Sequence, residues 1–273
     1  MNANAILAEV DSLFTSEDSL SIFNMIDSLI QTSVDQGASQ LAIRVAYNSN
    51  VGSAGRTLGI NKFGLSPGLS YYHKSGLYAD ASAYWSKEFD PDYYLTVLSA
   101  GYLWPVTKRW SLIAEYNRYL YNQRGEDVYA PYKNNLGVSN FIEFKPVTFR
   151  LDYSFFFGEK SGHRIMPGMF VSLEKRNWGK VNRFLFYPSF NVMFGSEEIE
   201  EEIKLPLRTF YLTKTVFGVM NYSFSVPLSI TIKKWNFLLN YTYNIPIALP
   251  GEDISLTNSG YASAGITRYI SFK

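Results

Sequence analysis

Phe149-Arg150-Leu151-Asp152-Tyr153-Ser154-Phe155 alternates large apolar residues with charged or hydroxyl ones. In an extended chain successive side chains point to opposite faces, so this stretch turns its aromatic and leucine groups one way and Arg150, Asp152 and Ser154 the other. The same alternation recurs near 39–49, 64–74, 76–88, 92–105, 109–122 and 133–145. It continues near 146–158, 163–175, 182–195, 214–229, 233–245 and 258–272, which makes twelve candidate strands. The links between them alternate in length. Ser75-Gly76, Val106 to Arg109, Lys145-Pro146, Arg176 to Lys180 and Ile232 to Lys234 are tight, whereas 50–63, 87–91, 123–132, 159–162, 196–213 and 246–257 are longer. An even strand number, one apolar face and links of alternating length predict an all-β fold: an antiparallel transmembrane β-barrel of about 12 strands, with lipid outside and water inside.

Composition narrows the choice. The chain has 273 residues with 20 Phe, 21 Tyr and no Cys, at a net charge of +1, so a disulfide framework and a thiolate metal site are both excluded. No apolar run reaches the roughly 18 residues that a membrane-crossing helix requires, so strands must do the crossing. A soluble β-sandwich is the competing class. It gives no reason for Trp104, Trp110, Trp178 and Trp235 all to flank tight links. In a bilayer each indole there buries its ring among acyl chains and donates its N–H at the headgroups, forming an aromatic girdle. Short turns of outer-membrane barrels face the periplasm, so this girdle and both termini are expected on that side.

Residues 1–38 follow another period. Leu7, Val10, Leu13 and Phe14, then Ile22, Phe23, Ile26, Leu29 and Ile30, recur at helical spacing. They predict an amphipathic helical segment that packs on the periplasmic rim, plugs the lumen or docks on a membrane-protein partner, ahead of a barrel over 39–273. Asn2, Asn4 and Glu9 interrupt any secretory h-region, so the chain reads as a mature form with an added initiator Met.

Strand parity assigns Arg44, Asp80, Glu115, Asn117, Glu143, Arg150, Asp152, Glu174, Asn221, Asn240 and Asn244, together with Ser and Tyr side chains, to the lumen. Their mixed signs favour a cross-strand network of ion pairs over an ion-selecting ring of one charge. Arg150 and Asp152 are the first positions to mutate if the barrel conducts. Pro67, Pro167 and Pro188 remove ladder donors inside strands, and bulges are expected there. Arg118 and Arg268 carry lipid-facing parity; the first would snorkel at the outer rim and the second would need a bulge. The run Glu197, Glu198, Glu200, Glu201 and Glu202 reads as a solvated loop tip, with Glu197, Glu198, Glu200 and Glu201 as weak candidates for Ca²⁺ or Mg²⁺. No phosphate-cradling glycine loop, paired-histidine motif or nucleic-acid signature occurs, so neither a cofactor nor a nucleic-acid partner is expected.

Ile266, Ile270 and Phe272 alternate with Thr267, Tyr269 and Ser271 at the C terminus. This resembles the terminal strand of Gram-negative outer-membrane barrels, and the abundant Tyr and Phe, missing Cys and N-terminal helix are similar to small barrels of the Bacteroidota type. The resemblance implies an outer-membrane address, contact with lipid and lipopolysaccharide, and handling by the barrel-assembly machinery. His73-Lys74-Ser75 resembles the His-x-Ser arrangement of outer-membrane phospholipases and lipid A deacylases, which makes His73 and Ser75 low-ranking catalytic candidates. Three functions stay open: a narrow, porin-like pore or transporter for small solutes, an accessory subunit of an outer-membrane assembly, and a lipid-modifying hydrolase.

Overall fold

A computed structural model describes residues 38–49, 64–87, 91–122, 132–205, 208–251 and 256–272; for 197–205 and 208–213 the backbone alone is described. The strands are β1 (Ser39–Asn48), β2 (Gly64–Tyr72), β3 (Leu77–Trp85), β4 (Tyr93–Pro105), β5 (Trp110–Tyr121), β6 (Tyr132–Phe144), β7 (Val147–Gly158) and β8 (Ser161–Val171). They continue as β9 (Leu173–Trp178), β10 (Val181–Phe186), β11 (Ser189–Leu205), β12 (Arg208–Ser225), β13 (Leu228–Ile232), β14 (Trp235–Pro246) and β15 (Ser259–Phe272). Neighbours in sequence pair antiparallel from β1 to β8, then β8 with β11, β11 with β12, β12 with β14, β14 with β15 and β15 with β1. The sheet therefore closes on itself and has no free edge around the ring. Short interruptions split three of its twelve staves: Ser172 separates β8 from β9, Tyr187-Pro188 separates β10 from β11, and Val226-Pro227 separates β12 from β13. The breaks lie side by side, because Val171 N–H donates to Pro188 O and Tyr187 N–H to Pro227 O.

Alternation sets which face meets which solvent. In β7, Leu151 and Tyr153 are 48% and 41% exposed on the outside, while Arg150 and Asp152 are 3% and 7% exposed within. β14 repeats the pattern without interruption, with Phe237, Leu239, Tyr241 and Tyr243 outside and Asn236, Asn240, Thr242 and Asn244 inside. An apolar exterior wrapped around buried amides and charges is the reverse of a soluble protein and the arrangement a bilayer requires. No helix among the described residues is long and apolar enough to cross a membrane; here strands cross.

The tight links stand where they were predicted, between β2 and β3, β4 and β5, β6 and β7, β9 and β10, and β13 and β14. Two expected long links are corrected. The connection at 159–162 shrinks to Glu159-Lys160, and the acidic 196–213 stretch is no loop, since β11 runs to Leu205 and β12 starts at Arg208. Glu198, Glu200 and Glu202 stand opposite Thr215, Thr213 and Tyr211, strand-favouring partners that compensate for the low strand propensity of glutamate. The wall strand β8 pairs with β11 as far as Gly195, and beyond it the His163 N–H donates to the Ser196 hydroxyl at 3.0 Å. Prolines also behave otherwise than expected. Pairing continues in one register on both sides of Pro67 and Pro167, and Pro188 ends a strand. The register shifts occur instead at Tyr84/Trp85, Tyr132/Asn134 and Met193/Phe194. Arg268 needs no bulge, because its guanidinium lies 5.3 Å from the centre of the Trp235 ring on the outer wall. The predicted helical segment 1–38 lies outside the described residues except for Ala38.

Candidate functional site in the barrel lumen

The inward residues of each strand form layers along the bore. Nearest the tight links are Asn236, which donates to Ser229 and Thr231, and Arg183, which donates to Glu174 at 2.9 Å. Glu174 also accepts from Arg176. Burial by itself would raise the Glu174 carboxyl, but the hydrogen bond from Arg176 and the charges of Arg183 and Arg176 outweigh it and hold that group below the ordinary carboxylate range. Glu174 belongs to β9, a strand exposed along its whole length that hydrogen-bonds to β10 alone, so it lines a mouth and not the mid-lumen. Glu143 likewise sits at this rim, half-exposed and 3.6 Å from Lys145 Nζ.

The next layer is apolar. Ala42, Tyr72, Tyr78, Ile113, Phe141, Phe170, Leu185, Tyr187 and Leu238 pack into one cluster with Leu103 and Tyr269 against it. Their neighbours in sequence, among them Ile43, Tyr71, Ile142, Met169 and Leu239, are the exposed ones, which fixes the cluster on the inside of the wall.

Beyond it the lumen is polar. Arg44 Nη1 donates to Ser70 Oγ at 2.6 Å, and Arg44 Nη2 donates to Asp80 Oδ1 at 2.7 Å and Ser82 Oγ at 2.5 Å. Both serine hydroxyls donate in turn to Asp80, at 2.6 and 2.8 Å, so this carboxylate is held from three sides. The arrangement needs Gly68: a Cβ there would lie 2.7 Å from Arg44 Nε. Tyr78 Oη and Asn117 Nδ2 donate to the two oxygens of Glu115 at 2.5 and 2.8 Å, and Ser99 donates to Asn117. Gly101 leaves room for the Tyr78 hydroxyl in the same way. Across the bore Arg150 Nε stands 2.6 Å from Asp152 Oδ2, and its guanidinium lies 5.6 Å from the centre of the Phe141 ring. Asn221 donates to Asn244 and Asn240 to Thr242.

Glu115, Asn117, Arg150 and Asp152 line a cavity together with Ile113, Asn135, Arg164 and Met166, among others, with about 640 Å³ of space counted together with the solvent it meets. Arg164 crosses towards the long-link end between the Phe156 ring, 5.8 Å away, and the sulfurs of Met193 and Met220. Of the residues that parity assigned to the lumen, Asn117, Arg150, Asp152, Asn221, Asn240 and Asn244 are buried, and Arg44, Asp80 and Glu115 take part in the hydrogen bonds above. Ser70 and Ser82 fall within the serine and tyrosine side chains assigned there as a group, whereas Arg164 and the apolar layer were missed. Leu238 between Asn236 and Asn240 was the signal for that layer: an apolar residue at lumen parity.

Outside the lumen, Trp104, Trp110, Trp178 and Trp235 are exposed at the tight-link rim, and Lys175 Nζ lies 4.7 Å from the centre of the Trp178 ring. His73 Nδ1 is 2.8 Å from Ser75 Oγ and accepts the Ser75 backbone N–H at 3.2 Å, so the imidazole closes the β2–β3 turn. The side chains of Glu197, Glu198, Glu200 and Glu201 lie outside what is described, and no group of metal-ligating residues occurs among the described residues.

A closed twelve-stranded barrel, apolar without and polar within, defines the class: a transmembrane β-barrel of the outer-membrane type. Among solved structures, the KdgM porin shares this fold at a TM-score of 0.50 and 9% identity, over 83% of this chain and 98% of that one. The NanC porin superposes at 0.47 with 10% identity over 84% and 98% of the two chains, and the beta domain of the Bordetella autotransporter Brka at 0.41 with 12% identity over 85% and 99%. No protein-family model and no curated protein matches the sequence. At 9% identity the KdgM porin shows a common fold and no more.

Proposed function

We propose that this barrel is a narrow passage for small polar solutes across the outer membrane. The observation that carries the reading is the inner wall, where the ion pairs of Arg44 with Asp80 and of Arg150 with Asp152 are interleaved with amides and hydroxyls, and where Glu115, Arg150 and Asp152 line a cavity. Mixed charges held in pairs narrow a lumen without committing it to one ion sign. The fold held in common with a porin supports the same reading. In this proposal the tight links, the tryptophan girdle and both termini face the periplasm, and lipopolysaccharide packs on the exposed belt. The barrel-assembly machinery inserts the chain, whose kin are small barrels of the Bacteroidota type. Residues 1–38 form a separate segment that engages a membrane-protein partner.

Liposome swelling tests the proposal. Vesicles carrying the full chain are expected to swell in small neutral and zwitterionic solutes at rates that fall with solute size; rates equal to those of empty vesicles for every solute overturn it. The apolar layer favours a second reading, an accessory subunit whose bore stays shut. Recovery from native membranes in a stoichiometric complex, without swelling activity, would select that reading.

A further inference from the structure

The departure from rule in this barrel lies inside it. A transmembrane barrel is expected to be apolar outside and polar inside, yet a layer of large apolar side chains points inward near the tight-link end. The layer is flanked by polar groups on both sides. On β14 the inward order is Asn236, Leu238, Asn240; on β6 it is Glu143, Phe141, Ser139; on β5, Ile113 gives way to Glu115. The cluster draws from β1, β2, β3, β5, β6, β8, β10 and β14, with β4 and β15 against it, and so runs around the ring except at β7, where Arg150 stands opposite Phe141, and at β13, where Ser229 stands opposite Leu238. Its members are 2–8% exposed. These side chains pack on one another as a single cluster, so at this level the lumen is filled chiefly by apolar groups.

We infer that this layer is a hydrophobic septum that gates the lumen, with Phe141, Phe170, Tyr72, Tyr187, Ile113 and Leu238 as the barrier a permeating solute must displace. The inference rests on the passage reading and names where its resistance lies. The cavity above it is a vestibule whose floor includes Ile113. An apolar constriction excludes ions and polar solutes because they must shed hydration there without gaining partners. Arg150 stands directly opposite Phe141 in the β6–β7 ladder with its guanidinium over that ring, so the charged pair meets the septum directly.

Planar-bilayer recording of the full chain tests this. Phe141→Ala with Phe170→Ala should empty the layer, and Leu238→Asn, nearly isosteric, should wet it without opening a void. Each is expected to raise single-channel conductance or open fraction on the order of tenfold, equivalent to about 1.4 kcal/mol off the barrier. Leu239→Ala, on the outer wall beside Leu238, should leave the current at its starting value. Heat-modifiable gel mobility reports folding; if the double variant does not fold, Leu238→Asn decides alone. Folded septum variants with the current of the unaltered chain overturn the septum, whatever the size of that current. Swelling fails separately: rates at the empty-vesicle level in all forms overturn solute passage, while a raised ion current in the variants still upholds the septum.

Discussion

Arg44 shows how much a single lumen residue depends on what is missing beside it. Gly68 gives its guanidinium a place to lie, and the resulting ion pair with Asp80 is largely shielded from solvent. Gly68→Ala should push the guanidinium off Asp80 and cost about 1–3 kcal/mol, the usual penalty for overpacking. The same substitution should cost far less in an Arg44→Ala background, since the clash is with that side chain; chemical denaturation of the four forms in detergent closes the cycle. Arg150 and Asp152 make a second, functional test. Arg150→Ala leaves the Asp152 carboxylate facing the cavity without its 2.6 Å partner. The reversal potential across a KCl gradient should therefore move towards cation preference. Asp152→Asn should move it the other way, and coincident potentials for both variants would show that current does not pass this pair.

At the scale of elements, alternation made strands, parity and tight links legible, because a period of two survives any ambiguity about where a strand ends. What it hid is depth. Parity says that Leu238 and Asn240 face the same way, not that one belongs to an apolar layer and the other to a polar one. The glutamates misled for a related reason: Glu197 to Glu202 has the composition of a solvated tip, yet the aromatic and β-branched residues of the opposing strand carry the ladder across it. Past Ser196, whose hydroxyl accepts the His163 N–H, the described backbone of the hairpin does not pair with β8. Replacing 197–212 by a short turn is accordingly expected to leave the barrel folded, with heat-modifiable mobility and unfolding midpoint close to those of the full chain. A loss of folding would mean that this hairpin braces the wall. The β9–β10 hairpin offers the contrast, because Glu174 there joins Arg176 to Arg183 across the rim. Glu174 has a depressed carboxyl, so its contribution is present at neutral pH and fades as acid protonates it below the ordinary carboxylate range.

For the whole molecule, the decisive quantity is the free energy of facing lipid. Closure leaves each stave of the ring paired on both sides, with β9 alone extending past it on one partner, so backbone polar groups of the ring need no water even where hydrocarbon surrounds them. The exterior then has one requirement, that its side chains tolerate acyl chains, and the exposed Leu, Ile, Phe and Tyr of the belt meet it. A soluble sandwich with the same alternation would hide those residues against a second sheet and put Arg150 and Asp152 in water, the opposite of what is found. The penalty for a charge on this surface should depend on depth. Leu151 stands mid-wall on β7 and Trp178 at the tip of β9, so Leu151→Arg should cost about 2–4 kcal/mol whereas Trp178→Arg should cost about 0–1. Reversible unfolding into vesicles measures both values. Equal penalties at the two positions would contradict a hydrocarbon slab around the wall, and a chain that stays monodisperse without detergent would contradict it more directly.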